Sequence, residues 1–311
     1  MNTAISGVYA GLSAGDYTAQ LASVGASLRT LEHRGVPLVV PFDDAAVRPV
    51  FRGAVLAPWP NRVVDGHYRF AGVEQQLALT EPARGHALHG LATWLDFDIT
   101  EEHPDSVTLE ATIQAQAGYP HRIDVSVTYR LDQNGLHTVV SATNTGTTPA
   151  PWGTGPHPYL VAGRGNVDDW TLTLPADQVL TVTDDRLIPI GLADVSTEGN
   201  GIFDFREPRV IADTFIDHAF THLHRDSNGM TTVTLRENTT GSGVEMTWDE
   251  SCPWVQIHTA DLPDPQQSRL GLAVEPMTCP PDAYNSGTDL IVINPGENHR
   301  AGWTIRALCD E

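Results

Sequence analysis

Apolar and polar residues alternate with period two along most of this chain. In "VTLEATIQ", Val107, Leu109, Ala111 and Ile113 fall on one face, and Thr108, Glu110, Thr112 and Gln114 on the other. That is the pattern of a strand with one buried side. The alternation resumes in "RIDVSVTYRLDQNGLHTVVSATN" through Ile123, Val125, Val127, Tyr129 and Leu131. It breaks at Asn134-Gly135, which predicts a type I′ hairpin with both residues at positive φ. "MTTVTLRENTTGSGVEMTW" predicts a second hairpin with a longer loop, and "DLIVINPGENHRAGWTIRAL" a third around Pro295-Gly296. Near the start, "YTAQLASVGASLRTLEHRGVPLVV" reads as short strands separated by Gly-containing turns.

No segment sustains a 3.6-residue stripe for three turns, and 22 prolines and 27 glycines punctuate the whole length. No repeat, low-complexity tract or linker interrupts it. The pattern predicts an all-β chain, one domain over 1–311, folded as a large antiparallel β-sandwich. Its functional groups are expected on a concave face, contributed by distant strands and loops.

Composition narrows the function. The chain has 311 residues and a net charge of −21, and all 18 basic residues are arginine. Without lysine there is no Schiff base, no pyridoxal phosphate chemistry and no P-loop lysine. So acidic a surface also argues against nucleic-acid and anionic-membrane partners, both of which need positive potential. Cys252, Cys279 and Cys309 are far apart and form no C-x-x-C, so no disulfide framework is expected and a reducing compartment fits. "MNTAISGVYAGLSAGDY" lacks the basic and apolar regions of a signal peptide, and no apolar run approaches the ~20 residues that span a bilayer. The expectation is a soluble cytoplasmic protein.

Four stretches carry candidate chemistry. In "LAPWPNRVVDG", Arg62 follows a proline-stiffened turn, so its planar fork is suited to sugar hydroxyls or an oxyanion, or to one of the many acids. In "RGHALHGLATW", His86 and His89 stand three apart, a spacing that puts them on opposite faces of a strand and is weak for a metal. In "PWGTGPHPYL", His157 lies between Pro156 and Pro158 and is restricted on both sides. In "LGLAVEPMTCPPDAYN", Glu275 closes an apolar run and Pro276 keeps it extended at the strand end. An apolar mouth there would raise the carboxyl pKa toward the range of a general base.

Two rivals compete. His218, His222 and His224 in "IDHAFTHLHRD" share parity, but 218 and 222 would lie ~13 Å apart on a strand, too far for one ion without a bend. Cys279 sits among prolines with no histidine placed beside it by any pattern.

Together these stretches resemble the aldose 1-epimerase (galactose mutarotase) family over nearly the whole chain. "GAVLAPWPNRVVDGHYRFAGVEQQL", "HALHG", "GPHPYL", "IDHAF" and "VEPMTCPPDAYN" come in the family's order. The resemblance implies a β-sandwich of the galactose mutarotase type, no cofactor, and a small-molecule sugar as partner of a monomer or homodimer. It implies Glu275 as general base, His157 as general acid and His89 as a second active-site histidine. Arg62 and Asp217 match the substrate-binding pair, Asp282 and Asn285 brace the loop behind Glu275, and His86, His218, His222 and His224 match no central role. The chain departs from better-known members in "EPMTCPP" and "GPHPYL", which leaves the aldose open: glucose, galactose, a pentose, or a phosphorylated or sulfonated hexose. Trp59, Trp94 or Trp152 could offer an apolar face to sugar C–H groups, or belong to the core.

The reading is an isomerase that interconverts α and β anomers of a free hexose. A base takes the C1 hydroxyl proton, an acid protonates the ring oxygen, and the ring opens, rotates and closes. Glu275 and His157 would bring closely matched proton affinities. Alternatives are a carbohydrate-binding protein without turnover, a hexose-phosphate mutarotase, a metal-dependent enzyme built on residues 218–224, and a two-carboxylate glycosidase.

Overall fold

The longest alternating runs pair into a nine-stranded antiparallel sheet in a computed structural model that describes residues 4–308. Cys309 lies outside the described residues. The sheet runs in the order Asp98–His103, Ser106–Ile113, Ile123–Asp132, Gly135–Asn144, Asn298–Leu308, Gly243–Trp248, Thr231–Glu237, Trp170–Thr173 and Arg209–Val210. A six-stranded sheet orders Tyr159–Leu160, Leu272–Met277, Trp254–His258, Asp217–Leu223, Ala176–Val182 and Pro189–Asp194. Val125 and Val127 of the larger sheet join Val179, Phe220, Val255 and Val274 of the smaller in one buried cluster. The two inner faces therefore make a sandwich core. A four-stranded sheet over residues 9–37 packs its Leu12, Leu21 and Leu31 into the same cluster. The longest helix among the described residues is Ala283–Ser286, and no helix is long and apolar enough to cross a membrane.

The predicted strands are present, with three local corrections. Asp132 pairs with Gly135, so the turn is Gln133-Asn134 and only Gly135 takes a positive φ, of 111°. The Asp132 carboxylate accepts the Asn134 N–H at 2.7 Å and sets the turn one residue early. The expected third hairpin is a crossover. Ile291–Ile293 pairs with Ala150–Trp152, whereas Asn298–Leu308 enters the large sheet. The buried Asn144 amide holds the corner by donating to the Ile293 carbonyl at 2.7 Å. Finally, Glu275 is inside its strand rather than at the end, because Pro276 and Met277 continue the ladder opposite Val255 and Trp254.

Gly53 joins the N-terminal sheet to the site. Its φ is +69°, and a Cβ there would sit 2.0 Å from the Leu28 carbonyl oxygen. Its N–H donates to the His157 carbonyl at 2.8 Å. Gly53→Ala combines a left-handed backbone with a clash against main chain, so it should cost about 2–4 kcal/mol. Scanning calorimetry should show Tm lowered by at least ~5 °C; an unchanged Tm would contradict the close approach.

Candidate active site

Glu275 projects from a strand whose six residues are all buried, and is itself 1% exposed. Its register partner on the neighbouring strand is Gln256, a polar residue in the otherwise apolar run "WVQI". His157 is tethered on both sides of its backbone: its N–H donates to the Ala54 carbonyl at 3.0 Å, and its carbonyl accepts from Gly53. Its ring stacks on Tyr159 with centroids 5.2 Å apart, and Nε2 lies 3.4 Å from Glu275 Oε1. Proline on either side thus presents an imidazole to a carboxyl more than a hundred residues away.

His89 adopts a left-handed φ of 61°, held by an exchange with Asn61. Its N–H donates to the Asn61 carbonyl at 2.8 Å, and its Nδ1 accepts the Asn61 N–H at 3.2 Å. Nδ1 is therefore the acceptor, and the neutral ring carries its proton on Nε2. The His89 and His157 ring centroids are 4.9 Å apart in an edge-to-face arrangement. Phe51 lies against both, at 4.7 and 6.2 Å.

Arg62 is fixed by a residue that sequence reasoning missed. Glu81 takes its Nε at 2.8 Å and its Nη2 at 3.1 Å, a bidentate pair, and Nη2 is 3.7 Å from Asp217 Oδ2. Asp217 Oδ1 accepts from Gln256 Nε2 at 2.7 Å and lies 4.0 Å from His258 Nδ1. Arg62, His89, His157, Asp217 and Glu275 all line one cavity of about 410 Å³, with Phe51, Phe215, Gln256 and His258 completing its wall. The five residues singled out by resemblance therefore meet.

Burial dominates the electrostatics. It pushes the Glu275 carboxyl well above the usual carboxylate range, and the nearby Asp217 charge adds to this against Arg62. It depresses His157 to about 3, with His258 acting in the same direction. His89 is driven well below an ordinary imidazole by burial and then by His157. For Asp217 burial acts upward, but His258, Arg62 and the Gln256 hydrogen bond outweigh it and keep the carboxylate ionised. The expected close match of proton affinities is thus corrected, because burial pushes the two groups in opposite directions. The 3.4 Å contact joins a carboxyl and a neutral imidazole with one proton between them, because a dry site disfavours the ion pair.

Glu275 Oε2, His157 Nδ1, Gln256 Oε1 and His258 Nδ1 are buried and make no hydrogen bond within the protein. Buried polar atoms are otherwise nearly always paired. Four such atoms belong to residues lining one cavity, which leaves hydrogen-bonding capacity directed into it. His89, His157 and Glu275 also offer ligand atoms within 4.8 Å of one another, so they are the residues that could hold a metal ion.

The remaining candidates lie elsewhere. His86 is buried with Nε2 2.9 Å from the Arg186 carbonyl, and His224 Nε2 is 2.9 Å from Asp177. His218 packs on Phe203 and His222 has a φ of 54°, and among the described residues the three histidines do not gather as a metal-ligand group. Trp59 and Trp152 are core, Trp94 lies over Arg48, and the aromatic residues lining the cavity include Phe51, Tyr159 and Phe215 instead. Cys279 is buried, with its thiol pushed up to about 12 by burial, unsuited to nucleophilic attack. Asp282 accepts the Val64 N–H at 2.9 Å and an Asn285 amide proton at 2.7 Å, bracing the loop behind the site.

The fold is a large antiparallel β-sandwich with one buried polar cavity at the edge of its six-stranded sheet. Residues 11–306 match the aldose 1-epimerase family model, and the chain belongs to that family. It is 37% identical to the uncharacterized protein YihR of Escherichia coli K12, over 98% of this chain and 94% of that one. It is 29% identical to the galactose mutarotase of Mus musculus over 81% and 77% of the two chains. A putative aldose 1-epimerase from Escherichia coli K12 superposes with a TM-score of 0.82 at 21% identity, covering 97% of this chain and 99% of that one. A galactose mutarotase-like protein from Clostridium acetobutylicum gives 0.84 at 16% identity, covering 96% and 95%. At those identities the likeness is one of fold.

Proposed function

We propose that this chain is a cofactor-independent mutarotase that interconverts the anomers of a free hexose. The observation that carries the reading is the buried Glu275–His157 contact, Oε1 to Nε2 at 3.4 Å. The Glu275 carboxyl first passes its proton to His157; the Glu275 carboxylate then takes the proton of the C1 hydroxyl while the His157 imidazolium delivers its own to the ring oxygen. The open-chain aldehyde then faces a protonated carboxyl and a neutral imidazole, which is the uncharged state that burial already favours. Rotation about C1–C2 and the reverse transfers close the other anomer. Hydroxyls of a bound sugar can donate to Glu275 Oε2, which has no partner within the protein, and so favour the carboxylate needed to start. Arg62 and His89 hold ring or exocyclic oxygens, and Asp217, ionised and aligned by Gln256, accepts from hydroxyls.

A sugar-binding protein without turnover would use Arg62, Asp217 and the aromatic walls, but would gain nothing from a carboxyl and an imidazole sharing a proton in a dry site.

Polarimetry on freshly dissolved α-glucose and α-galactose tests the activity, and its pH profile tests the proton count. The active form holds one proton on the pair, so it persists from His157's value of about 3 up to the raised value of Glu275. kcat/KM should therefore be flat through pH ~6.5, where an ordinary imidazole titrates, and fall only on the alkaline side. An acid limb near that pH would contradict the neutral pair.

A further inference from the structure

One wall of the catalytic pocket is a turn whose backbone conflicts with its sequence. Val50 and Phe51, which both line the pocket, take φ values of 42° and 56°. The Pro49 carbonyl accepts the Arg52 N–H across them at 3.0 Å. Two central residues at positive φ make a turn of the I′ kind, which strongly prefers Asn-Gly. A β-branched residue in the left-handed region is an outlier. Such strain collects at active sites and persists only where the surrounding structure over-determines it.

Here the surroundings act from both ends of the turn. Arg48 is buried and donates from Nη1 to the Val24 carbonyl at 2.9 Å and from Nη2 to the Thr93 carbonyl at 2.5 Å. Arg52, also buried, donates to the Pro41 carbonyl at 3.2 Å and to the Gln267 side chain at 3.3 Å. Among the described residues neither guanidinium meets a carboxylate, in a chain with 39 acidic residues. A buried charge without a counter-ion is costly, and what these two hold in return is main chain on either side of the turn. The half-exposed Trp94 backs it, with its ring 4.7 Å from the Arg48 guanidinium and 6.0 Å from the Phe51 ring.

The turn delivers contact with His157. The Val50 carbonyl accepts the Tyr159 hydroxyl at 3.2 Å, and Tyr159 stacks on His157. The Phe51 ring is inclined 29° to that of His157, as the Tyr159 ring is, and meets the His89 ring edge-on at 65°. Gly53 and Ala54, just beyond, hold the His157 main chain. A right-handed or extended backbone at 50 and 51 would redirect the Phe51 side chain away from both imidazoles.

We propose that Val50 and Phe51 are positioning residues for the general acid: crowding at Val50 confines the turn to one narrow left-handed conformation, which holds the Phe51 ring against His157 and His89. The proposal rests on the mutarotase reading, in which the His157 ring must meet the ring oxygen of the sugar. Its distinguishing consequence is that stability and activity separate at residue 50. Val50→Gly relieves the strain, because glycine enters the left-handed region freely, but it widens the range of conformations open to the turn.

The test measures kcat and KM by polarimetry with glucose and galactose, and Tm by scanning calorimetry, for Val50→Gly, Val50→Ile and Phe51→Leu. Val50→Gly should keep or raise Tm while kcat falls about tenfold at little-changed KM, the kind of loss that follows a misaligned reacting group. Val50→Ile, as crowded as valine, should rescue the kcat that glycine loses. Phe51→Leu keeps the apolar bulk without the ring and should lower kcat to a similar degree. Imidazole NMR of the sugar-free protein reads the positioning without turnover. His157 resonances should shift or broaden in Val50→Gly and Phe51→Leu, while those of His137 in the large sheet stay in place. Wild-type kcat in Val50→Gly, a Tm that falls together with kcat, an isoleucine no better than glycine, or unmoved His157 resonances would each overturn the proposal. A wild type that accelerates neither sugar, while its His157 resonances still respond to both variants, would sink the mutarotase reading and keep the positioning of His157.

Discussion

Glu275→Gln slows anomerisation by about 10²-fold or more, the range expected when a general base is removed, and leaves KM nearly unchanged. The amide keeps the shape and burial of the side chain, so Arg62, Asp217 and Gln256 still hold the sugar. What disappears is the ability to take the C1 proton. The same substitution should improve the protein's tolerance of alkali. Glu275 has a folded pKa well above its usual value because it is buried. Its contribution to stability is therefore complete below about pH 4.5 and is lost as pH rises, because the unfolded chain ionises first. Glutamine does not titrate, so between pH 5 and pH 8 the variant's Tm should fall less than that of the wild type. A variant inactive but with the wild-type Tm profile would mean that Glu275 is not protonated in the resting fold. A variant with near-wild-type rates would remove Glu275 from the mechanism.

The strands were legible because period-two alternation is a local property, and the Ile123–Asp132 and Gly135–Asn144 pair shows it cleanly. Pairing partners were legible only where a short turn forces neighbours together. Pro295-Gly296 looked like such a turn, but the segment before it pairs with Ala150–Trp152. That choice is made by a buried amide, Asn144, far away in sequence. Pro276 misled in the same way: a proline usually closes a strand, yet here the ladder continues through it.

At the site, the residues that act on substrate stood out because their neighbours are unusual, as with His157 between two prolines. Their supports did not. Glu81 sits in "TEPAR", which reads as a surface loop, and nothing local reveals its bidentate hold on Arg62. Gln256 and His258 left a faint signal, two polar residues of equal parity in the apolar strand "WVQIH". The charge state of the pair was beyond reach for a different reason. Whether a histidine sits near 6.5 or near 3 depends on how much water the whole fold excludes, and desolvation has no sequence period.

His157→Asn should cost about as much as Glu275→Gln, ~10²-fold in kcat, and the two variants should differ in the sign of what pH does to the remaining rate. Asparagine fills the space of the imidazole and can still donate to Glu275, but it cannot pass a proton to the ring oxygen. The residual reaction then needs only an ionised Glu275, with solvent as the acid. Because Glu275 is held well above the usual carboxylate range, that fraction grows as pH rises, so the residual rate of His157→Asn should climb where the wild type declines. In Glu275→Gln the residual reaction needs a protonated His157, whose pKa is depressed to about 3. Its rate should climb as pH falls. Opposite slopes in the two single variants, with a plateau in the wild type between them, are the kinetic consequence of one proton shared by two buried groups. Parallel slopes would mean that the two residues act through a common partner rather than on opposite sides of the sugar.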